Sequence, residues 1–437
     1  MKKLITLLLA IISVFCLMFG AIACSGDNTG DNTGIENPDE GGETPDDTPE
    51  EPSDPIETVP YEYVLENGTY AIKGIGSVTG KTLTIPSNYN GTPITKIMPN
   101  AFAYSSATEL ILGKNVTELG TKAFYYTEIK KVTFNDNLTK IGKECFSYSK
   151  ITEANLSSKL TTIEESAFYR CYYLEKVVVP ETVTVISKNC FYSSGTSTPN
   201  KELVLEGATN VVEIGDSAFA SSAIKNYPFT DNIEIIRSSA FSGSKIQSLT
   251  VPTKITTINS EVFRGCGELT EITLNKGLTN ISASAFKNCG KLATINFAED
   301  GALTEIGMGA FYGCTALTTL EIPDYVKKLG ISAFAKCEGL EKVVIGTGVT
   351  FIGAGCFASD YEEYVNGNST DGNPRMLDYL ELKSPENWIQ STIESAQAST
   401  FWYEPNTPEK TAQNYHNRRF FHWLKGQQVP KEPTTEK

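Results

Sequence analysis

The sequence predicts a β-rich α/β solenoid of about twelve repeats of 22–23 residues. Phenylalanine recurs twelve times at nearly regular spacing, which is the first sign of a repeat. These positions are Phe102, Phe124, Phe146, Phe168, Phe191, Phe219, Phe241, Phe263, Phe286, Phe311, Phe334 and Phe357. Each repeat also contains a short stretch of alternating apolar and polar residues, which is typical of a strand with one buried face. Because one repeat alone cannot bury its apolar side, neighbouring repeats must stack to form a continuous core.

The repeat that contains Phe334 shows how one turn is organised. Leu320 and Ile322 alternate with polar neighbours, and Pro323 ends the strand because proline donates no hydrogen bond to a sheet. The apolar residues that follow, through Phe334, indicate a return segment that points inward. We expect this segment to consist of a turn and a short helical stretch.

The combination of Leu-x-x-Leu-x-Ile-Pro with Ile-x-x-x-Ala-Phe-x-x-Cys recurs between Ile97 and Phe357, and with its flanking segments the resemblance that it carries covers roughly residues 60–424. It is similar to the BspA-like branch of bacterial leucine-rich-repeat surface proteins. The resemblance implies a right-handed superhelix that binds matrix-type or other cell-surface proteins. It also implies an order of segments, namely an N-terminal cap (60–90), a solenoid (91–360), a final strand with an aromatic C-terminal cap (361–424) and a disordered tail (425–437). Longer spacing at 202–214 and 297–306 predicts inserted residues within an unbroken solenoid.

Residues 1–23 have the pattern of a signal peptide, with two lysines, an apolar stretch and small residues before Cys24. The cysteine at this place resembles the lipobox of bacterial lipoproteins, which implies that Cys24 carries a lipid. Ala21 stands where the lipobox usually has leucine, and it also suits ordinary signal peptidase. Two outcomes therefore stay open, a lipid-anchored protein on the cell surface or the outer face of a membrane, and a secreted one.

Residues 24–59 are predicted to form a disordered acidic tether. Residues 25–58 contain 12 Asp and Glu, no Lys or Arg, and no aromatic residue. Such a segment cannot bury enough apolar surface to offset its ordering entropy. With the tether set aside the body is nearly neutral and has no basic stripe, which argues against nucleic-acid binding.

Catalytic, cofactor and metal chemistry find little support in the residue types. The only histidines are His416 and His422, both in the closing aromatic segment, so a catalytic triad or a histidine-rich metal site is not expected. Eight of the ten cysteines recur either three residues after the repeat Phe or directly before it. That register predicts small buried thiols, with disulfides between neighbouring repeats as the alternative. We predict no enzyme activity and no cofactor.

Two surfaces are candidates for ligand contact. On the outward side of the strands, one row alternates in charge and a second is small and uncharged. The first row contains Glu109, Lys131, Glu153 and Lys176, and the second contains Thr133, Asn155, Thr250, Thr273 and Asn296. The charged row could equally be a solvated ladder. Two residues after the repeat Phe, the first three repeats have Tyr104, Tyr126 and Tyr148, whose rings should stack on one flank. The alternative is that these rings fill space beside Ser105, Thr127 and Ser149.

The sequence therefore favours a monomeric, tethered surface protein for adhesion, which binds an extracellular protein or a glycan. A polysaccharide-binding lipoprotein and a structural scaffold of the envelope are the alternatives.

Overall fold

The computed structural model describes residues 61–197, 201–357 and 379–383, together with strands at 388–391, 398–402 and 422–425. All of them belong to the compact unit Thr58–Lys437. Over these ranges the chain consists of strands and turns, and it has no helix of the length and apolarity needed to cross a membrane. The prediction of a solenoid with about twelve turns is confirmed.

The solenoid begins with a small aromatic cap. Strands β1 (Glu62–Glu66) and β2 (Thr69–Gly74) form a hairpin, and β2 pairs in parallel with β5 (Thr92–Ile97). Strand β4 (Asn88–Tyr89) pairs antiparallel with β5. The Tyr61 ring meets the Phe102 ring edge to face, with 5.7 Å between centroids. The cap thus covers the first phenylalanine of the core.

One wall of the solenoid is a parallel ladder of short strands, which we call the first ladder. Its strands are β3 (Thr82–Thr84), β6 (Glu109–Ile111), β8 (Lys131–Thr133), β10 (Glu153–Asn155), β12 (Lys176–Val178), β14 (Val204–Glu206), β17 (Ser248–Thr250), β19 (Glu271–Thr273), β21 (Thr294–Asn296), β23 (Thr319–Ile322), β25 (Lys342–Ile345) and β27 (Tyr379–Leu382). In the three-residue strands the middle residue points into the core and its two neighbours point outward, whereas in the four-residue strands β23, β25 and β27 the second and fourth residues point inward.

A second ladder of shorter strands forms another wall, and the sequence had not separated it from the return segment. After β5 its strands are β7 (Glu118–Leu119), β9 (Lys140–Ile141), β11 (Thr162–Ile163), β13 (Val185–Ile186), β15 (Glu213–Ile214), β16 (Ile235–Ile236), β18 (Thr257–Ile258), β20 (Asn280–Ile281), β22 (Glu305–Ile306), β24 (Lys328–Leu329) and β26 (Phe351–Ile352). Strands β28 (Trp388–Ser391), β29 (Ala398–Trp402) and β30 (His422–Lys425) extend this sheet, and β30 pairs antiparallel with β26.

The repeat phenylalanines form the spine of the core. Successive rings are 5.1–5.7 Å apart between centroids, and their planes differ by only 3–15°. The eleven rings from Phe102 to Phe334 are almost completely buried. Offset stacking of this kind adds about 0.5–1.5 kcal/mol per pair beyond the burial itself.

The sequence predicted a short helical stretch in the return segment, and for the described residues this prediction was wrong, because they form turns there. The hydrogen bonds of successive backbone amides explain why turns form in place of a helix. Ala101 and Ala103 donate to carbonyls three residues earlier in their own turn, whereas Phe102 and Tyr104 donate to Ala123 and Tyr125 in the next turn. A helix would direct every amide to its own segment and leave none to join neighbouring turns.

The first ladder weakens or breaks at the turns in which phenylalanine takes the place of the usual aliphatic residue after the strand position. In most of the other turns the residue at this place is buried, and its amide usually bonds the next strand, as Leu112 does to Thr133 and Leu274 to Asn296. Phe134, Phe229 and Phe297 are only partly buried, and their amides make no such bond. We attribute the openings to the larger ring, which does not fit the space that an aliphatic side chain fills.

The inserted residues at 297–306 therefore have a mixed effect. The second ladder runs without a break through β20, β22 and β24, and the phenylalanine stack continues alongside it. The first ladder, however, ends at β21 and starts again at β23. The solenoid is unbroken, as expected, but one of its walls is not.

Candidate binding surfaces

The backbone two residues after each repeat Phe has an unusual conformation. In all eleven turns whose residue at this place the structure describes, φ lies between 52° and 73°. These residues are Tyr104, Tyr126, Tyr148, Arg170, Ser193, Ser221, Gly243, Gly265, Asn288, Gly313 and Lys336. Glycine adopts this left-handed conformation freely, whereas a bulky side chain costs about 1–2 kcal/mol. Tyrosines at this position in three consecutive turns, Tyr104, Tyr126 and Tyr148, are therefore a concentrated source of backbone strain.

The rings of Tyr104 and Tyr126 lie largely on the surface, so burial offsets the strain only in part. Tyr104 is 72% exposed and Tyr126 is 57% exposed. Ring centroids are 5.8 Å apart from Tyr104 to Tyr126 and 5.7 Å apart from Tyr126 to Tyr148, with planes tilted by 38° and 37°. The predicted neighbourhood is present, but the rings are tilted and not parallel.

The alternative explanation for these tyrosines was that they fill space beside the small residues that follow them. Thr127 and Ser149 are themselves buried, and the Thr127 hydroxyl donates to the Phe124 carbonyl at 3.1 Å. The Ser149 hydroxyl lies 3.6 Å from the Cys171 sulfur. The small side chains therefore occupy that space without help from the exposed rings.

Further tyrosines and one arginine extend this surface. The Arg170 guanidinium lies over the rings of Tyr148 and Tyr169, at 5.7 Å and 5.3 Å from their centroids. The Tyr169 ring stacks on Tyr192 at 5.1 Å, and Tyr172 and Tyr173 are partly exposed nearby. We call this set the tyrosine patch. It comprises Tyr104, Tyr125, Tyr126, Tyr148, Tyr169, Arg170, Tyr172, Tyr173 and Tyr192.

Desolvation raises the pKa of Tyr125, and the neighbouring Tyr104 phenol raises it further. Desolvation also raises the pKa of Tyr169. These phenols therefore stay neutral at physiological pH and can both donate and accept hydrogen bonds. The patch combines apolar ring surface with polar hydroxyl tips, the combination that makes tyrosine useful at interfaces.

The four residues of the charged row lie on adjacent strands. Glu109 is opposite Lys131, Lys131 opposite Glu153, and Glu153 opposite Lys176. Lys131 pairs with Glu109 at 3.1 Å, whereas Lys176 turns to Glu206 at 2.8 Å. Because these side chains are largely exposed, such pairs contribute little stability.

The strand that contains Glu206 was missed from the sequence. Strand β14 continues both outward rows with Val204 and Glu206, opposite Lys176 and Val178. The signal was present in Leu205, an apolar residue between two outward positions, but the inserted residues before it obscured the register. The next turn, which contains Pro228, has no strand in the first ladder.

Four predicted residues meet at the opening after Phe134. Strands β8 and β10 pair only at Lys131 and Glu153, and a cleft of about 420 Å³ lies between them. Thr133 and Asn155 also line this cleft. Farther along, Thr250 and Thr273 lie opposite each other, and the Asn296 amide donates to Thr273 at 3.3 Å. The uncharged row is thus a hydrogen-bonded surface interrupted by the openings.

The repeated cysteines belong to the core. Cys171, Cys266 and Cys337 are buried, and each thiol donates to the carbonyl of a phenylalanine in the preceding turn, at 3.0, 3.1 and 3.2 Å. Burial raises the pKa to about 12 for Cys171 and Cys337 and to about 11 for Cys266. A thiol with so high a pKa stays neutral and is a poor nucleophile.

Several predictions concern residues outside the described ranges. They include the signal peptide, Cys24, the acidic tether and His416, while His422 lies in strand β30. Among the residues that the structure does describe, no three or more His, Cys, Asp and Glu side chains come together as a metal site would require.

Comparison with known proteins assigns the repeat. The chain matches the model described as BspA type Leucine rich repeat region over residues 80–198, 197–302 and 299–406. No curated protein matches the chain. Among solved structures, a leucine-rich repeat protein from Bacteroides ovatus is 18% identical, with 75% of this chain and 98% of that chain covered and a TM-score of 0.49. The pneumococcal vaccine antigen PcpA is 17% identical, with 83% and 96% covered and a TM-score of 0.46. A leucine rich cell surface protein from Faecalibacterium prausnitzii is 21% identical, with 74% and 99% covered and a TM-score of 0.36.

Proposed function

Because the chain belongs to the family of proteins with BspA-type leucine-rich repeats, we propose that it is a cell-surface binding protein whose tyrosine patch contacts a macromolecular partner. The observation that carries this proposal is the set of three tyrosines in left-handed backbone positions, of which Tyr104 and Tyr126 are exposed and Tyr148 is partly buried. A left-handed backbone at a residue other than glycine costs free energy, and residues that keep such a conformation tend to cluster at functional sites. Glycine stands at the same position in three later turns, so the fold itself does not require tyrosine there.

A protein partner suits the patch best. Tyrosine and arginine are enriched in the residues that dominate protein interfaces, and the Arg170 guanidinium lies over two tyrosine rings. A stacked guanidinium has lost much of its rotamer freedom before binding, which reduces the entropic cost of forming the complex. The partner would be a matrix-type or other cell-surface protein.

A glycan is the second candidate, favoured by the regular spacing of three tyrosine rings. Tyr104, Tyr126 and Tyr148 repeat at about the spacing of the turns themselves. Successive sugar rings of an extended polysaccharide could each lie against one tyrosine. In either case, a lipid at Cys24 and the acidic tether would hold the solenoid away from the membrane.

The test is a binding screen with the chain from residue 24 onward against immobilised matrix proteins and glycans. The variant with Tyr104→Gly, Tyr126→Gly and Tyr148→Gly should lose most of the affinity for any ligand found. Ser221→Gly and Lys336→Gly change the same backbone position outside the patch, and we expect them to bind as the wild type does. Undiminished binding by the triple variant would remove the patch from the function. If the triple variant loses glycan retention but binds proteins as the wild type does, the second candidate is favoured.

A further inference from the structure

A cleft lies on the first ladder between β21 and β23, where the strands fail to pair. It has a volume of about 680 Å³, which is within the usual range of ligand sites. Strand β21 ends one sheet and β23 begins the next, so each has an edge without a strand partner on this side. Such an edge is a ready template for another extended chain.

The floor of the cleft is apolar and partly exposed. In the other turns with a first-ladder strand, apart from that of Val132, the middle strand residue is buried, but Ile295 is only partly buried, and so is Phe297. The Phe297 amide, which in most turns would bond the next strand, makes no such bond. A visiting strand would find apolar contacts and an available backbone donor at the same place.

The inserted loop after Phe297 is fixed in position, so the cleft is a built feature. The Tyr325 hydroxyl donates to the Ala298 carbonyl at 2.8 Å. A side chain at Gly301 would come within 2.8 Å of the Tyr325 ring, which shows how closely the loop packs on that ring. The Ala302 amide then donates to the Lys276 carbonyl of the preceding turn at 3.0 Å.

The rim of the cleft is acidic. Glu299, Asp300, Glu321 and Asp324 line it, against a single lysine, Lys383. Lys383 already pairs with Glu321 at 3.1 Å. The other carboxylates have no basic partner within 4 Å among the described residues. Asp324 accepts the Thr347 amide at 2.8 Å, and this hydrogen bond lowers the pKa of its carboxyl group.

We propose that this cleft binds an extended basic segment of a partner polypeptide, which adds as a strand along the free edge of β21. Alternate side chains of the segment lie on Ile295 and Phe297, and its carbonyl accepts the Phe297 amide. The intervening lysine or arginine side chains face the carboxylates of Glu299 and Asp300. Strand addition of this kind takes affinity from the backbone and specificity from alternate side chains. The site is separate from the tyrosine patch and does not depend on it.

The probe for this site is a fluorescein-labelled heptapeptide in which valine and lysine alternate, with blocked ends. Fluorescence anisotropy with the chain from residue 24 onward should show saturable binding that weakens at high ionic strength. The same peptide with glutamate in place of lysine should bind at least about tenfold more weakly, because like charges oppose each other at the rim. Equal binding of both peptides, or no binding of either, would overturn the proposal.

Two variants test separately how the acidic rim and the unpaired edge of β21 contribute to peptide binding. The double change Glu299→Gln and Asp300→Asn should weaken lysine-peptide binding about fivefold, as expected for two partly exposed ion pairs. Phe297→Leu should let β21 pair with β23 and abolish binding. The control Phe134→Leu closes the other cleft, whose rim contains Lys130 and Lys131, and should leave binding unchanged.

Other occupants give distinct results. If a second copy of the chain fills the cleft, the protein will dimerise in analytical ultracentrifugation, Phe297→Leu will make it monomeric, and the peptide will not bind. If a neutral oligosaccharide fills it, binding will be insensitive to ionic strength and to the two carboxylate changes. Either result would overturn the assignment to a basic peptide. Circular dichroism of each variant confirms that the solenoid remains folded.

Discussion

Replacing Tyr104 with glycine tests whether the exposed tyrosines are kept for stability. The ring is 72% exposed. About a quarter of the tyrosine surface, or about 50 Å² of roughly 200 Å², is therefore buried in the folded chain. Substitution by glycine removes this buried surface, which costs about 1.3 kcal/mol at 25 cal/mol per Å². The edge contact with Tyr125, at 5.6 Å between centroids, adds about 0.5 kcal/mol.

Two backbone effects act in opposite directions. Glycine relieves the left-handed strain at φ 63°, worth about 1–2 kcal/mol, but its greater freedom in the unfolded chain costs about 0.5–1 kcal/mol. The sum is a destabilisation of about 1 kcal/mol. Urea denaturation followed by circular dichroism measures it. Phe102→Ala in the same turn removes a ring with 1% exposure and should cost about 3–5 kcal/mol.

A reverse substitution isolates the strain itself. Gly243 occupies the equivalent position at φ 68°, and an added Cβ would meet nothing closer than 3.5 Å. Gly243→Ala adds about 1–2 kcal/mol of backbone strain but removes about 0.5–1 kcal/mol of glycine's freedom in the unfolded chain, so it should destabilise by about 0.5–1 kcal/mol. A loss above about 3 kcal/mol for Tyr104→Gly, or no loss for Gly243→Ala, would refute the reasoning that links these tyrosines to binding.

Three further predictions follow from the core, the opened ladder and the N-terminus. Burial raises the pKa of Cys266 to about 11, so between its ordinary value near 9 and that pH the folded chain keeps a proton that the unfolded chain loses. The free energy of unfolding should therefore fall as pH rises through this window, on the order of 2–3 kcal/mol for this thiol, and Cys266→Ala should flatten the slope. Phe297→Leu should slow hydrogen exchange of the amide at position 297, because that amide gains a strand partner, and an unchanged exchange rate would contradict the attribution of the opening to the larger phenylalanine ring. Cys24→Ser should abolish metabolic labelling with a radioactive fatty acid in a bacterial host, whereas an unlabelled wild type would favour secretion.

Much of the architecture could be predicted because it depends on local spacing. A buried Phe at each turn and the alternation around Leu320 require only that similar segments stack in register. The second ladder was harder to find, because a strand as short as Lys328–Leu329 leaves almost no alternating pattern to detect. The helical stretch was wrong for a related reason, since the direction of each amide depends on the turn stacked above it.

By itself the sequence determined that this protein is a stacked solenoid with a phenylalanine spine, since apolar spacing repeats along the chain. It also determined which tyrosines share one register position. Only the tertiary structure decided that this position is left-handed, so that tyrosine is strained there and glycine is not. It alone decided that Phe134 and Phe297 open the first ladder, because the fit of a ring depends on the volume between two neighbouring turns.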